Sequence, residues 1–219
     1  MKDSDIPKTS ANDSITAPNC DSSYKSIIHF SKWRSESGWI SRGAAYDIIT
    51  DYTEIYELLD SIVNLDNQNY YVVSKMSYMI DTKYDNYNPS SPTTITKSDT
   101  TIQYNYIRED YCNKKVYLYL YEKDCLLYNF NKQIGDTLKA DSSCERTIDL
   151  TIQTIDSIIV GNETYKKINC DYKYSDEYPF FLIEGIGCRF GLLQDYFIDY
   201  EYFQDWAFYS FWFNGEEIK

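Results

Sequence analysis

KVYLYLYEKDCLLYNFN, residues 115–131, alternates strictly enough to decide the fold class. Val116, Leu118 and Leu120 fall on one face of an extended chain and Tyr117, Tyr119 and Tyr121 on the other, which is the period of two that a half-buried strand requires. Glu122, Lys123 and Asp124 then turn the chain into CLLYNFN, 125–131. Two such runs joined by a short polar turn predict a β-hairpin.

The same reading extends in both directions. SIIHFSKWRSESGWI, 26–40, is expected to form the first strand or an irregular lead-in to it, with Trp33 and Trp39 as core residues. NYYVVSKMSYMI (69–80) and TIQYNYI (101–107) read as strands, and DTKYDNYNPSSPTTITKSD (81–99) between them as a long loop. Gly135-Asp136 marks a further turn, and Gly161-Asn162-Glu163 separates two more alternating runs. Asn214-Gly215 closes a last hairpin after FYSFWF. Short strands at regular spacing predict a mainly β chain, an antiparallel meander closed into a barrel or folded as a two-layer sandwich.

One segment departs from this period. In AAYDIITDYTEIYELLDSIVNL, 44–65, Ala45, Ile48, Ile49, Tyr52, Ile55, Tyr56, Leu59, Ile62 and Val63 recur at three- and four-residue intervals, with acidic residues between them. That pattern predicts one amphipathic helix near 44–63, packed on the sheet. It carries no compensating lysines, so tertiary docking would have to hold it.

Composition bounds the function. The chain has 219 residues, 43% hydrophobic and 25% charged, enough for one cored domain. The 24 tyrosines against 8 glycines favour pleated, half-buried surfaces. A net charge of −13 repels phosphate backbones, so nucleic acid is excluded as a partner. No apolar run approaches the ~20 residues of a transmembrane helix. Residues 1–23, polar and rich in Ser, Asp, Asn and Thr, read as a flexible tether, and 24–219 as a single β-rich domain. The tether shows no apolar core or cleavage site of a signal peptide, so export implies a signal upstream of Met1.

The six cysteines, Cys20, Cys112, Cys125, Cys144, Cys170 and Cys188, show no paired CxxC spacing, and His29 stands alone. Zinc is not expected, nor any other metal or cofactor. An even count suits an oxidising compartment, yet the alternatives of disulfides and buried thiols both stand, with 15 connectivities for six paired cysteines. His29 has no GxSxG partner for nucleophilic catalysis. Asp81, Asp85, Asn86 and Asn88 offer hard oxygen ligands without EF-hand spacing, and read as a turn. Arg108, Glu109, Asp110 and Glu184 are the residues from which a carboxylate-based hydrolase would have to be built.

In FFLIEGIGCRFGLL, 180–193, Gly185 and Gly187 inside a strand-like run mark a bend at a sheet edge, and Gly191 releases the chain toward the last hairpin. Glu184 sits at the bend, placed to accept hydrogen bonds from nearby amides or from an arginine such as Arg108. QDYFIDYEYFQDWAFYSFWF, 194–213, interleaves Tyr196, Tyr200, Tyr202, Trp206 and Trp212 with carboxylates. Such acid-flanked aromatics form a platform for sugar rings, which Tyr117 and Tyr119 could extend. The competing reading is a second packed layer or a subunit contact.

The order IRED (107–110), KKVYLYL, CLLYNFNKQIGDTL, TIDSIIVGNETYKKI, FLIEGIGCRFGLL and FWFNGEEIK resembles a family of small secreted or lipidated proteins of the Bacteroidetes, over residues 69–219. Members often precede a type 9 secretion sorting domain. Asn129 stands where the family commonly has Asp, and Cys188 where it has Ser. The resemblance implies export and a β fold and supplies no catalytic residues. Lys2-Asp3-Ser4-Asp5 is similar to the acidic tract that follows a lipidated cysteine, which implies a lipid anchor upstream of Lys2. Together these readings describe a non-enzymatic protein, extracellular or anchored at the outer-membrane surface, that binds a glycan or a protein partner. The alternative is a structural or assembly component of a surface complex.

Overall fold

The computed structural model describes residues 20, 23–27, 32–139, 141, 144, 149–171, 180–188, 192, 206–213 and 215–218; of residues 39, 88, 89, 206–211, 216 and 218 it describes the backbone alone. The strands are β1 (Lys32–Arg42), β2 (Tyr46–Leu65), β3 (Gln68–Asp85), β4 (Asn88–Lys97), β5 (Thr101–Asp110), β6 (Lys115–Leu120), β7 (Lys123–Asn129), β8 (Thr137–Leu138), β9 (Leu150–Val160), β10 (Glu163–Asp171), β11 (Phe180–Ile183), β12 (Gly187–Cys188), β13 (Trp206–Phe213) and β14 (Glu216–Ile218). All pairings are antiparallel. A nine-stranded sheet runs β14-β13-β1-β2-β3-β5-β6-β7, with β4 also on β3, and a five-stranded sheet runs β12-β11-β10-β9-β8. One of the two sheets curls into a half-barrel.

The expected helix is instead β2, a strand of 20 residues hydrogen-bonded to β1 on one side and β3 on the other. Read with a period of two, Ile48, Thr50, Tyr52, Glu54, Tyr56 and Leu58 share the inner face, while Ile49, Asp51, Thr53, Ile55 and Glu57 share the outer one. Isoleucine, threonine and tyrosine lose side-chain freedom in a helix and fit a pleated surface, and here two neighbouring strands satisfy the backbone. Glu54, on the inner face and buried, accepts hydrogen bonds from the hydroxyls of Tyr52 (2.9 Å) and Tyr56 and pairs with Lys75. A buried carboxylate needs such partners to stay inside.

The expected loop at 81–99 is also mostly strand. β3 runs on to Asp85, turns at Asn86-Tyr87 and returns as β4. Pro89 and Pro92, which argue for a loop, are tolerated because β4 pairs with β3 alone and forms an edge. Where Asp66-Asn67 and Tyr121-Glu122 join strands, both residues have φ between +48° and +62°, the left-handed pair of a two-residue hairpin turn.

The core lies between the sheets. Trp33, Tyr56, Val73, Ile107 and Val116 from the larger sheet meet Leu150, Ile152, Ile168, Phe180 and Leu182 from the smaller one in a single buried cluster. Each such side chain contributes about 1.5–3 kcal/mol on burial. The architecture is therefore a two-layer sandwich. Polar contacts lock the layers together. The Trp33 indole donates to the Ile186 carbonyl at 2.9 Å, and the Tyr128 hydroxyl donates to the Leu192 carbonyl. Ile186 belongs to the turn between β11 and β12, at the edge of the smaller sheet, where Gly185 and Gly187 have φ of +81° and +121°.

A strap, Tyr24–Ile27, lies across the sandwich. Glu109 accepts from the Tyr24 hydroxyl (2.6 Å), the Ser26 hydroxyl and the Ile27 amide (3.1 Å), and Glu184 accepts from the Lys25 amide (3.2 Å). Disulfides join Cys20 to Cys112 and Cys125 to Cys144, while Cys170 and Cys188 are buried and belong to neither. The disulfides fit an oxidising compartment. No helix among the described residues is long and apolar enough to cross a membrane.

Candidate binding surface

Alternation along β5 sends the IRED residues in opposite directions. Ile107 enters the core and Glu109 grips the strap, whereas Arg108 points to the outer face of the larger sheet. Asp110 caps the β5–β6 turn, accepting from the backbone amide (3.1 Å) and the side-chain amide (2.8 Å) of Asn113. Arg108 therefore does not reach Glu184, contrary to expectation. Its Nε donates to Asp124 Oδ2 at 2.8 Å and its Nη2 to the same oxygen, reaching across β6 to β7. The guanidinium also lies over the Tyr117 ring, 4.1 Å from its centroid, a cation–π contact.

Tyrosines surround this pair. On β5, Tyr104 and Tyr106 precede Arg108 on the same face, with Tyr104 half exposed. On β6, Tyr117 sits beside Arg108 and Tyr119 is paired with Asp124. The Tyr70 hydroxyl donates to Asp124 Oδ1 at 2.6 Å, and the Tyr119 hydroxyl donates to Asp66 Oδ2 at 2.7 Å. The rings of Tyr70 and Tyr119 meet edge to face, centroids 5.2 Å apart. Tyr70 and Val72 are buried, yet they stand outside the inter-sheet core, so neighbours on the outer face cover them.

Electrostatics hold the patch in one protonation state. Burial, followed by the bond to Asp124, pushes the Tyr70 phenol up to about 12. The bond to Asp66, followed by burial, does the same for Tyr119. Partial burial opposes the Arg108 charge, but the Asp124 carboxylate outweighs it and raises the group above its ordinary value. The phenols are donors and the guanidinium a cation throughout the neutral range. An arginine presents more N–H donors than one carboxylate oxygen consumes, so Arg108 retains donor capacity on this face.

The other expected sites fall elsewhere. Tyr196, Tyr200, Tyr202, Gly191 and His29 lie outside the described residues, as does the side chain of Trp206. Trp212 is half-buried on the outer face with Arg34 over its ring, at the far side of the sheet from Tyr117. Most of the 194–213 platform therefore lies outside the described residues. Gly185 and Gly187 flank the Ile186 turn, and Glu184 is committed to the strap along with Glu109. Asp81 accepts from the Thr50 hydroxyl (2.6 Å), Asp85 from the Tyr87 amide (2.9 Å), and Asn86 donates to the Gly43 carbonyl (2.7 Å), so these groups tie the end of the ribbon. Among the described residues no cluster could hold a metal ion.

Tyr70, Tyr104, Tyr106, Asp66 and Asp124 escaped the sequence reading. The signal was present in QYNYIR, where Tyr104, Tyr106 and Arg108 alternate as clearly as Tyr117 and Tyr119 do. Set against protein-family models, curated proteins and solved structures, the chain matches none.

Proposed function

We propose that the chain is an exported, non-catalytic binding domain that takes a carbohydrate on the outer tyrosine patch. The observation that carries this reading is the row of tyrosine rings around Arg108 and Asp124 on the outer face of the larger sheet. Sugar rings present flat C–H faces to aromatic rings, while their hydroxyls need donors and acceptors fixed in advance. Tyr104 and Tyr117 supply the former; Arg108, Asp124 and Asp66 supply the latter. The absence of catalysis is supported by the use made of the carboxylates. Glu109, Glu184 and Glu54 are occupied by structural donors, whereas glycoside hydrolysis needs two carboxyl groups open to the bond they cleave.

Placement at the cell surface, by a lipid anchor upstream of Lys2, rests on the resemblance to small exported Bacteroidetes proteins and agrees with the two disulfides. Thermal unfolding against a panel of host and dietary glycans tests the binding reading. A ligand at 100 times its dissociation constant stabilises the folded state by about 2.7 kcal/mol. One glycan class is expected to raise the melting temperature of the wild type and not that of Tyr104→Ala. A flat response across the panel would overturn the reading.

A further inference from the structure

The outer face changes character away from the tyrosines. Across β1, β2, β3 and β4 the register sets Ile40 beside Ile49, Thr82 and Ile95, and sets Ile55 beside Met76 and, on β5, Ile102. Ile95 is 64% exposed, Ile102 56% and Ile40 42%. Contiguous apolar exposure of this kind marks a contact surface.

Charge identifies the occupant. The chain carries −13, yet this face is close to neutral. Its cations are Lys32, Arg34 and Arg42 on β1 and Lys97 on β4. Its carboxylates are Glu36 on β1, Asp47, Asp51 and Glu57 on β2 and Glu217 on β14. A basic column on β1 thus adjoins an acidic column on β2, with isoleucines between. Such a face complements itself, whereas the rest of an acidic surface repels a second copy.

We propose that this face is a homodimer interface, formed by two larger sheets stacked face to face. A two-fold axis running along the strands between β1 and β2 lays each β1 over the other copy's β2. Ile40 then meets the partner's Ile49, Lys32 meets the partner's Glu57, and Arg42 meets the partner's Asp47. Stacked sheets lie roughly 10 Å apart, so these side chains interdigitate. The tyrosine patch lies toward the other edge of the sheet, clear of the axis.

Sedimentation velocity over a range of concentrations tests this. The wild type is expected to be dimeric and Ile40→Asp monomeric, with a melting temperature that no longer depends on protein concentration, while Ile159→Asp, on the exposed face of β9, remains dimeric. Lys32→Glu alone and Glu57→Lys alone are each expected to dissociate, because like charges then oppose across the axis. Mixing those two variants is expected to restore a dimer containing one of each, since both cross-axis pairs become complementary again. That rescue requires no knowledge of whether Ile40→Asp folds well. A wild type that is monomeric at every concentration overturns the proposal, including one that binds a glycan or another protein through Ile40, and so does a mixture of the two charge variants that stays monomeric.

Discussion

Gly187 holds a φ of +121°, and a Cβ added there would lie 3.3 Å from the Tyr128 hydroxyl. That hydroxyl is fixed by its bond to the Leu192 carbonyl, so it cannot move aside without loss. Gly187→Ala is therefore expected to destabilise the fold by about 1–3 kcal/mol, read from the denaturant midpoint at constant slope. An unchanged midpoint would contradict the account of this turn. The sequence signalled a glycine bend at this place, through two glycines in an apolar run. It could not signal what the bend is for. Trp33 and Tyr128, which meet the turn and its continuation at Leu192, are far away in the chain, and contacts of that range leave no local pattern. Arg108 illustrates the same limit. Its choice of Asp124 over Glu184 follows from which face of β5 it occupies, and a one-residue shift in register would have reversed it.

Hairpins were legible where alternation and turn chemistry agreed, as at Gly161-Asn162 and along 115–129. β2 was misread because its isoleucines and tyrosines satisfy both a helical and an extended period over 20 residues. β-branched content was the better discriminator, and the acidic residues without lysines already counted against a helix. The β6–β7 turn falls at Tyr121-Glu122, one residue ahead of the expected Glu122-Lys123-Asp124, because both residues adopt left-handed φ, +52° and +59°. Non-glycine residues pay roughly 1–2 kcal/mol for that conformation. Glu122→Gly is accordingly expected to stabilise the protein by roughly 0.5–1 kcal/mol, the relief being partly offset by the freer unfolded chain. A loss of stability on this substitution would place the turn elsewhere.

At the scale of the molecule, three tyrosines share a pH signature. Tyr70, Tyr119 and Tyr52 each rise from 10.0 to about 12, the first and last chiefly by burial and Tyr119 chiefly by its bond to Asp66. Below pH 10 both folded and unfolded chains keep these protons. Between about pH 10 and 12 the unfolded chain releases them first, so it binds fewer protons than the folded one and stability falls as pH rises. Chemical denaturation from pH 8 to 12 is expected to show that decline, and a constant midpoint across the window would contradict it. Below pH 10 the same groups leave the tyrosine patch unchanged, so carbohydrate binding on it does not depend on their ionisation. The most direct test of the binding account is a glycan array probed with the wild type and with Tyr104→Ala/Tyr119→Ala, two side chains outside the inter-sheet core. The account predicts a glycan class captured by the wild type and lost by a double variant that still folds. A wild type that captures nothing, or a variant that captures the same glycans undiminished, would contradict it.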